Sequence, residues 1–580
     1  MGNFFHDNPD IQFQLRRPEL DEVILLTESN FRDAEQFSHA PSSVEDARDS
    51  YGRVLEIVGA IAADDIAPYA AEVDEAGCVL DRGANRVHYA QPTSHALRRL
   101  SQADLMGFTM PRRYGGLNLP CTVYSMAIEI VSRADAALMN LFGLQEISST
   151  INDFADEEIK ASYLPRLCSG ELTAAMVLTE PDAGSDLQAI RLAASQDPST
   201  GGWYLDGVKR FITNGCGEVL LVLARSEPGT SDGRGLSLFL CDGGDKVRVR
   251  RIEEKLGIHG SPTCELEFHH VPAVLIGKRR LGLIRYVMAL MNGARLGVAC
   301  QALGIAEAAY RVARRYAEER VQFKRPVIRF PAVAEMLATM RLGLMVSRAL
   351  ITETSITVDL DRQIRARVEA GDMTLRPRSK KLARQSDFFT PLAKLVATET
   401  ANKVAYDAMQ VLGGAGYMRD FAVERHYRDA RITNIYEGTS QLQVVAAVGG
   451  ITSGVLSDWA ADFRAKHDLD DSAAGQSLRE AGDLLNRAIA SVRDHTDPRF
   501  ADLHAGRLVT MAADLVGMYL LARDAHRDPG RSRLAELHTQ LALPRMEQCL
   551  RIVCDGLPGL LGYPEEMVGP LPRENGPKGA

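Results

Sequence analysis

Cys264-Glu-Leu-Glu-Phe-His-His-Val271 puts Cys264, Leu266 and Phe268 on one side and Glu265 and Glu267 on the other, the period-two pattern of a strand with one buried face. Around it lie further short β-prone runs: Trp203–Ile212 (WYLDGVKRFI), Glu218–Arg225 (EVLLVLAR) and Leu236–Asp242 (LSLFLCD). Clusters of Gly, Ser, Asp and Pro such as SEPGTSDGRG separate them. Residues 172–283 therefore read as a β domain of about seven antiparallel strands, a sheet or a barrel. Helical crossovers between these runs are lacking, which argues against a Rossmann domain.

On both sides the pattern changes to helix. Residues 45–171 carry alanine-rich amphipathic runs, VEDARDSYGRVLEIVGAIAADDIAPYAAEV and YSMAIEIVSRADAALMNLFGL, interrupted by the turn-rich MPRRYGGLNLP. From 284 to 452, Leu296, Ala299, Leu303, Ala306, Tyr310, Ala313 and Ala317 recur at spacings of three and four. Ala397, Ala401, Val404, Ala408 and Val411 do the same. Such stripes are the inward faces of long bundle helices. A polar, basic insertion, DRQIRARVEAGDMTLRPRSKKLARQSDF, lies between the two stripes and reads as a solvated face, with a contact to the phosphates of a ligand as the functional alternative. After GGITSG a further helical segment, 453–580, runs to about residue 555 and ends in a tail, YPEEMVGPLPRENGPKGA, that reads as unstructured. Residues 1–44 form an N-terminal extension. The fold class is α+β, mainly α: an N-terminal helical domain, a middle antiparallel β domain, a C-terminal four-helix bundle and an extra helical C-terminal domain.

With 580 residues, 46% of them hydrophobic and 25% charged, the chain is globular and too long for one core. Lys and Arg total 67 against 76 Asp and Glu, and a net charge of −9 does not suit a surface that wraps nucleic acid. Nine scattered cysteines, none in a CxxC, support neither a zinc site nor a disulfide framework. No uninterrupted apolar run has the length of a membrane span. The start, MGNFFHDNPDIQF, lacks the basic and apolar regions of a signal peptide, and its acids are foreign to a transit peptide, so a cytoplasmic location is expected.

Five segments concentrate unusual residues. Leu178-Thr-Glu-Pro-Asp-Ala-Gly-Ser-Asp186 is either a polar strand-to-strand turn or a cradle whose small residues let backbone N–H groups approach a diphosphate. Phe211-Ile-Thr-Asn-Gly215 alone is a strand running into an Asn-Gly turn. Arg320-Val-Gln-Phe323 closes a helix, where an Arg also suits the dipole. Gln410-Val-Leu-Gly-Gly-Ala-Gly-Tyr417 is a helix entering a glycine-rich loop. Ile435-Tyr-Glu-Gly-Thr-Ser-Gln-Leu-Gln443 contains Glu437, by itself an ordinary turn residue.

In this order, the five segments resemble the acyl-CoA dehydrogenase family of flavoproteins over roughly residues 50–450, and RHYRDARITNIYEGTSQLQ carries the likeness almost unbroken. The resemblance implies FAD held between the β domain, the bundle and a neighbouring subunit, in at least a dimer. It implies that Met176, Leu178, Thr179, Gly184 and Ser185 line the flavin and its diphosphate, with Phe211 and Thr213 at the ring. Arg320, Phe323, Gln410, Gly413 and Gly414 would reach the partner's FAD, and Thr439 and Gln441 the adenosine. Glu437 matches the catalytic base, and Ser185, Asn292, Arg295 and Gly438 would lie near the acyl-CoA. No metal is implied. Some branches place the base one residue before the position of Arg295; here that residue is Ala294, which has no acid–base group.

The implied activity is α,β-dehydrogenation of an acyl-CoA to the 2,3-enoyl-CoA, with electrons passed to an electron-transfer flavoprotein. An acyl-CoA oxidase, and a flavoprotein kept for binding DNA or a protein partner, are the competing readings. Several features depart from the compact members. Phe211 stands for a Trp, Met176 for an aromatic, Asn292 for an Asp, and Phe330-Pro331 for His-Gln. Together with the basic insertion, the NFFHDNPDIQFQL start and LGIHGSPTCELEF, they resemble a larger bacterial subgroup that includes enzymes acting on 3-methylmercaptopropionyl-CoA.

Overall fold

The computed structural model describes residues 2–470 and 474–570. They form two units, one ending at Gln443 and one starting at Val444.

The first unit opens with α1 (Pro9–Leu15) and α2 (Leu20–Thr27), then α3 (Val44–Ile61), α4 (Ala70–Ala76), a small hairpin of β1 (Val79–Asp81) and β2 (Arg86–His88), and α5 (Gln91–Gln102). After the MPRRYGGLNLP turn come α6 (Cys121–Ala134), α7 (Ala136–Phe142), α8 (Glu146–Phe154) and α9 (Glu157–Cys168). The N-terminal extension is tied down by charge. Asp7 takes a two-pronged bond from Arg133 (2.5 and 2.7 Å), and buried Arg17 reaches Glu353 at 2.6 Å.

The β domain holds β3 (Ala174–Val177), β4 (Ala193–Gln196), β5 (Trp203–Thr213), β6 (Val219–Arg225), β7 (Leu236–Asp242), β8 (Arg248–Ile252) and β9 (Thr263–Ile276). β6 pairs with β4 and β7, β4 with β5, β5 with β9 and β9 with β7, so these five close on themselves; β3 extends from β6 and β8 from β9. The fully antiparallel reading needs correction, because β3–β6 and β4–β6 are parallel. A parallel pair requires a long crossover, and here the β4–β5 hairpin supplies the return from β3 to β6 in place of a helix. Val219 to Ala224 are all buried because β6 separates two cores. Val219, Leu221 and Leu223 pack with Ile147, Ile151 and Leu164 of the helical layer, whereas Leu220, Val222 and Ala224 pack with Trp203, Phe239 and Phe268. Burial on both faces accounts for a strand without polar alternation.

The bundle consists of α10 (Met288–Glu319), the short hairpin β10 (Val321–Gln322) and β11 (Arg325–Pro326), α11 (Pro331–Glu369), α12 (Arg376–Leu412) and α13 (Val423–Thr433). α10 packs against α6, α11, α12 and α13. At its centre Arg348 of α11 bonds Glu129 of α6 (2.5 and 3.1 Å) and Glu307 of α10 (2.9 Å), all three side chains at most 8% exposed. The basic insertion is not a separate polar interruption. It lengthens α11 and α12, leaving only 370–375 between them, since Ile364 and Leu382 continue the apolar stripe onto Leu26 of α2. Its charges are used in pairs: Arg362 with Asp153, Arg365 with Asp361, and Arg378 with Glu22.

The second unit takes in most of α14 (Ser440–Thr452), then α15 (Val455–His467), α16 (Gly475–Asp494), α17 (Pro498–Arg527) and α18 (Ser532–Asp555). Trp459, Phe463 and Tyr519 form its aromatic centre. Two short helices follow, α19 (Pro558–Gly562) before the tail and α20 (Pro564–Val568) within it, each started by a proline at its first position, so the start of the tail is more ordered than its composition suggests; 571–580 lie outside the described residues. One described helix, Pro498–Arg527, is long and apolar enough to cross a membrane, although no span was read from the sequence; 72% of its apolar window is buried inside the fold. All nine cysteines are free, and no metal-ligand cluster occurs among the described residues.

Candidate active site

A cavity of about 650 Å³ opens within the first unit, bounded by the β domain, by α7 and the turn after it, by α10, and by α13 with the turn that follows it. That volume suits a sizeable organic ligand.

The first wall is Leu178–Asp186. Its shape depends on a buried ion pair: Lys209 Nζ of β5 donates to Leu178 O (2.7 Å) and lies 3.0 Å from Glu180, which in turn accepts from Arg191 N and Leu192 N (2.7 and 2.9 Å). Burial brings the Lys209 ammonium down to about 8 against the pull of Glu180. Glu180 is thus committed to structure, while the amide N–H groups of Gly184 and Ser185 have no acceptor among the described residues.

The second wall is the end of β5. Asn214 accepts from Tyr89 (2.5 Å) and donates to Ala174 O and Thr173 Oγ1 (3.1 and 3.2 Å), which brings Phe211 and Thr213 beside Met176 and Thr179. Phe211, at a bulge in β5 with φ 61°, is 51% exposed toward the opening. Among the described residues the hydroxyls of Thr179, Ser185 and Thr213 make no hydrogen bond, so three polar groups line the cavity unpaired.

The third wall is the loop 253–258. Asp429 of α13 accepts from Ile258 N (2.6 Å), and Arg428 donates to Leu256 O (3.3 Å), Asp74 and Glu424. Gly257 lies so close to α13 that a Cβ there would stand 2.6 Å from Asp429 and 2.7 Å from the Arg428 carbonyl carbon. Behind these residues on α13, His426 is buried. Desolvation, then the charges of Arg425 and Arg428, push its imidazole down to about 3. Unfolded, it binds a proton near pH 6.5. Folding stability is therefore complete above pH 6.5 and lost as the pH falls toward 3, because only the unfolded chain takes up the proton. At pH 5 this group should account for about 2 kcal/mol of destabilisation. Denaturant midpoints of His426→Gln measured between pH 7 and 5 should show a flatter decline than the unsubstituted protein; equal slopes would contradict the assignment.

Glu437 occupies the fourth wall. Its φ is 52° and that of Gly438 is 88°, two consecutive left-handed residues. The turn is held from beneath: Lys394 Nζ donates to Tyr436 O (2.7 Å) and Gly438 O (2.5 Å), and Gln443 Nε2 to Glu437 O (3.2 Å) and Gly438 O (2.9 Å). Tyr436 donates to Gln301 and lies 3.2 Å from Asn140. The carboxyl of Glu437 faces the cavity and forms no hydrogen bond or ion pair among the described residues. Burial raises it above the usual carboxylate range; Lys394 and then Arg295 oppose that shift. The amide N–H groups of Glu437 and Gly438 also lack acceptors among the described residues. A side chain at Gly438 meets two obstacles, the positive φ and Gln443 Nε2 at 2.7 Å from its Cβ. Gly438→Ala should therefore cost about 1–3 kcal/mol in stability and displace Glu437. Thermal unfolding and the rate of flavin reduction should both fall; an unchanged rate would refute the displacement.

Ten of the residues singled out in the sequence line this cavity: Met176, Leu178, Thr179, Gly184, Ser185, Phe211, Thr213, Glu437, Gly438 and Thr439. Asn292 and Arg295, bonded to each other at 3.2 Å on α10, stand behind it. Arg320, Phe323, Gln410, Gly413 and Gly414 lie elsewhere, exposed at the far end of α10 and α12, and Gln441 is exposed on the first turn of α14. Along α10 the distance from Ala294 to Arg320 is about 39 Å at 1.5 Å per residue. Lys394, Gln443 and the Asn140–Gln301–Tyr436 network were not anticipated. For Lys394 a signal existed: a lone lysine inside the apolar run Pro391-Leu-Ala-Lys-Leu-Val-Ala397.

Comparison with known proteins agrees with this layout. The sequence matches the family descriptions "Acyl-CoA dehydrogenase, N-terminal domain" over 51–171, "middle domain" over 175–271, "C-terminal domain" over 284–448 and "Acyl-CoA dehydrogenase C terminal" over 464–553. An acyl-CoA dehydrogenase of Bacillus subtilis is 37% identical over 356 residues, covering 60% of this chain and 86% of the relative. The 3-methylmercaptopropionyl-CoA dehydrogenase of Ruegeria pomeroyi is 33% identical over 443 residues, 71% of each chain. Among solved structures, an acyl-CoA dehydrogenase from Bacillus anthracis complexed with FAD shares the fold with a TM-score of 0.74, covering 87% of this chain and 88% of that one at 23% identity.

Proposed function

The chain belongs to the acyl-CoA dehydrogenase family and is an FAD-dependent oxidoreductase, and from that premise we propose that it converts an acyl-CoA thioester to the 2,3-enoyl-CoA with Glu437 as the base. The observation that carries this reading is the Glu437 carboxyl, recessed in the cavity with no hydrogen-bond or ion-pair partner for its oxygens among the described residues.

An α-proton next to a thioester is only weakly acidic, so its removal needs a positioned base and donors for the charge that develops on the thioester oxygen. Glu437 takes the proton. The N–H of Glu437, which lacks an acceptor among the described residues, would donate to that oxygen, and partial withdrawal from water would strengthen the bond. The residues present fit the flavin. Met176, Leu178 and Phe211 offer an apolar face, the unpaired hydroxyls of Thr179, Ser185 and Thr213 offer polar contacts, and the free amides of Gly184 and Ser185 suit the diphosphate. FAD, when bound, supplies the two-electron acceptor that removes the β-hydrogen as hydride. Ser185, Asn292, Arg295 and Gly438 are assigned to the acyl-CoA, and Thr439 and Gln441 to the adenosine side.

The exposed set Arg320, Phe323, Gln410, Gly413 and Gly414 is too distant to serve the same flavin and is assigned to the FAD of a second copy, making the active form at least a dimer. An electron-transfer flavoprotein is the proposed acceptor. The similarity to the Ruegeria pomeroyi enzyme over 71% of each chain favours a short acyl group and places sulfur-containing chains among the substrates to test.

Anaerobic titration of the purified holoprotein with short, long and sulfur-containing acyl-CoA thioesters tests the reading. One class should bleach the oxidised flavin band, and readmitted oxygen should yield little hydrogen peroxide. Rapid peroxide formation would reassign the chain as an oxidase; a flavin that no thioester reduces would overturn the proposed reaction.

A further inference from the structure

We propose that Lys394 is a positioning residue for Glu437: its ammonium pins the two carbonyls flanking the base and supplies a nearby positive charge without touching the carboxylate. This inference rests on the reading of Glu437 as the base.

Three observations support it. First, Lys394 is 0% exposed, and two of its three ammonium donors go to Tyr436 O and Gly438 O, the carbonyls of the residues immediately before and after Glu437. A buried ammonium is costly, and a neutral donor would satisfy the same carbonyls at lower cost, as Gln443 does on the Glu437 and Gly438 carbonyls. The charge therefore has a separate use. Second, among the described residues no ion pair joins Lys394 to Glu437, although each acts on the other electrostatically: Glu437 helps retain the Lys394 proton against burial, and Lys394 is the foremost influence lowering Glu437. A direct ion pair would block the lone pair that must receive the substrate proton. An ammonium held on the backbone favours the carboxylate form while leaving both oxygens open. Third, the turn itself needs holding, since Glu437 and Gly438 both have positive φ.

The charged groups facing this site are few. Lys394, Glu399 and Asp387 come from α12, and Arg295 from α10 with Asn292 against it. Asp429 of α13 acts on Tyr436. Arg295 is the other cation near Glu437, but it lies on a different helix and holds neither flanking carbonyl.

The test compares Lys394→Met, Lys394→Gln and Gln443→Met as FAD-loaded proteins. The first readout is the pH dependence of flavin reduction by acyl-CoA. In the two Lys394 variants the ascending limb should move to higher pH by about one unit or more, because the carboxyl is harder to ionise without the cation. In Gln443→Met, which removes a neutral clamp, the rate should fall with the limb unmoved. Lys394→Gln retains a donor and covers the case in which Lys394→Met does not fold. The second readout needs no turnover: the pH-dependent infrared carboxyl band lost in Glu437→Gln should titrate at higher pH in both Lys394 variants. A band and a limb that stay in place in a folded neutral variant would overturn the inference. If no thioester reduces the unsubstituted protein, the proposed reaction fails, and the infrared titration still decides the role of Lys394.

Discussion

Glu437→Gln holoprotein should keep its yellow colour and its fold while turnover falls by about 10²–10⁴-fold, the usual worth of a positioned general base. Glutamine has the same shape and fills the same place in the cavity wall, so neither the cradle at Gly184–Ser185 nor the unpaired hydroxyls of Thr179 and Thr213 are disturbed. Stability should hold or rise. Burial already disfavours the Glu437 carboxylate, and removing a charge that its surroundings desolvate relieves that strain even though Lys394 and Arg295 lose a counter-charge. The combination of an intact melting temperature, a retained flavin spectrum and lost bleaching separates a catalytic role from a structural one. Full activity in the variant would remove Glu437 from the mechanism, and Ala294 offers no substitute at the alternative position.

Arg348→Met should have the largest effect on stability, about 3–5 kcal/mol, because it strands buried carboxylates rather than removing a pair. Glu129 is 4% exposed, and Arg348 is the one cation bonded to it among the described residues. Burial raises its carboxyl even now, with Arg348 opposing. Glu307 fares better: burial raises it too, but Arg348 and Arg311 together hold it below its ordinary value, and Arg311 remains in the variant. The loss should depend on pH. Without Arg348 the folded-state value of Glu129 moves further above the unfolded one, so its destabilisation is absent below about pH 4.3 and grows as the pH rises through the folded value. Urea titrations at pH 5 and pH 8 should show a smaller penalty at the lower pH. A penalty independent of pH would mean that lost packing, not stranded charge, governs the site. Arg348→Lys keeps the charge but loses the fork, and should fall between the two.

The succession of helical, β and helical regions was legible because it is written in local periodicity, although the second unit starts at Val444 and not at 453. The stripes from Leu296 to Ala317 and from Ala397 to Val411 are buried as their spacing requires, Tyr310 only half so. Cys264, Leu266 and Phe268 do face one core, but Glu265 opposite them is buried too, paired with Arg250 and Arg251, so the strand is covered on more than the one face its alternation suggests. The cavity wall was legible in a different way, through segments far apart in sequence that each read alone as an ordinary turn or loop and only in their order resemble one family. Besides the fully antiparallel reading of the β domain, two expectations failed for physical reasons. The basic insertion reads as polar punctuation when charges are counted, yet Ile364 and Leu382 carry helix α11 and helix α12 onward by packing on Leu26. The tail reads as unstructured by composition, yet Pro564 sits at the first position of a short helix, where a missing N–H has no cost.

By itself the sequence determined most of the helical and β segments, since those depend on spacings of two and of three to four, and, through its resemblance to one family, ten of the residues that line the cavity. Tertiary structure alone decided the parallel pairing of β3 with β6, the commitment of Glu180 to Lys209 and of Asp429 to Ile258, and the distance separating Arg320 and Gln410 from the rest. It alone brought Lys394, 43 positions earlier in the chain, beneath the turn that carries Glu437. Hydrogen bonds and electrostatic fields act through space, so which charge is paired, and which carboxyl is left free to react, is fixed only when the helices and strands are packed together.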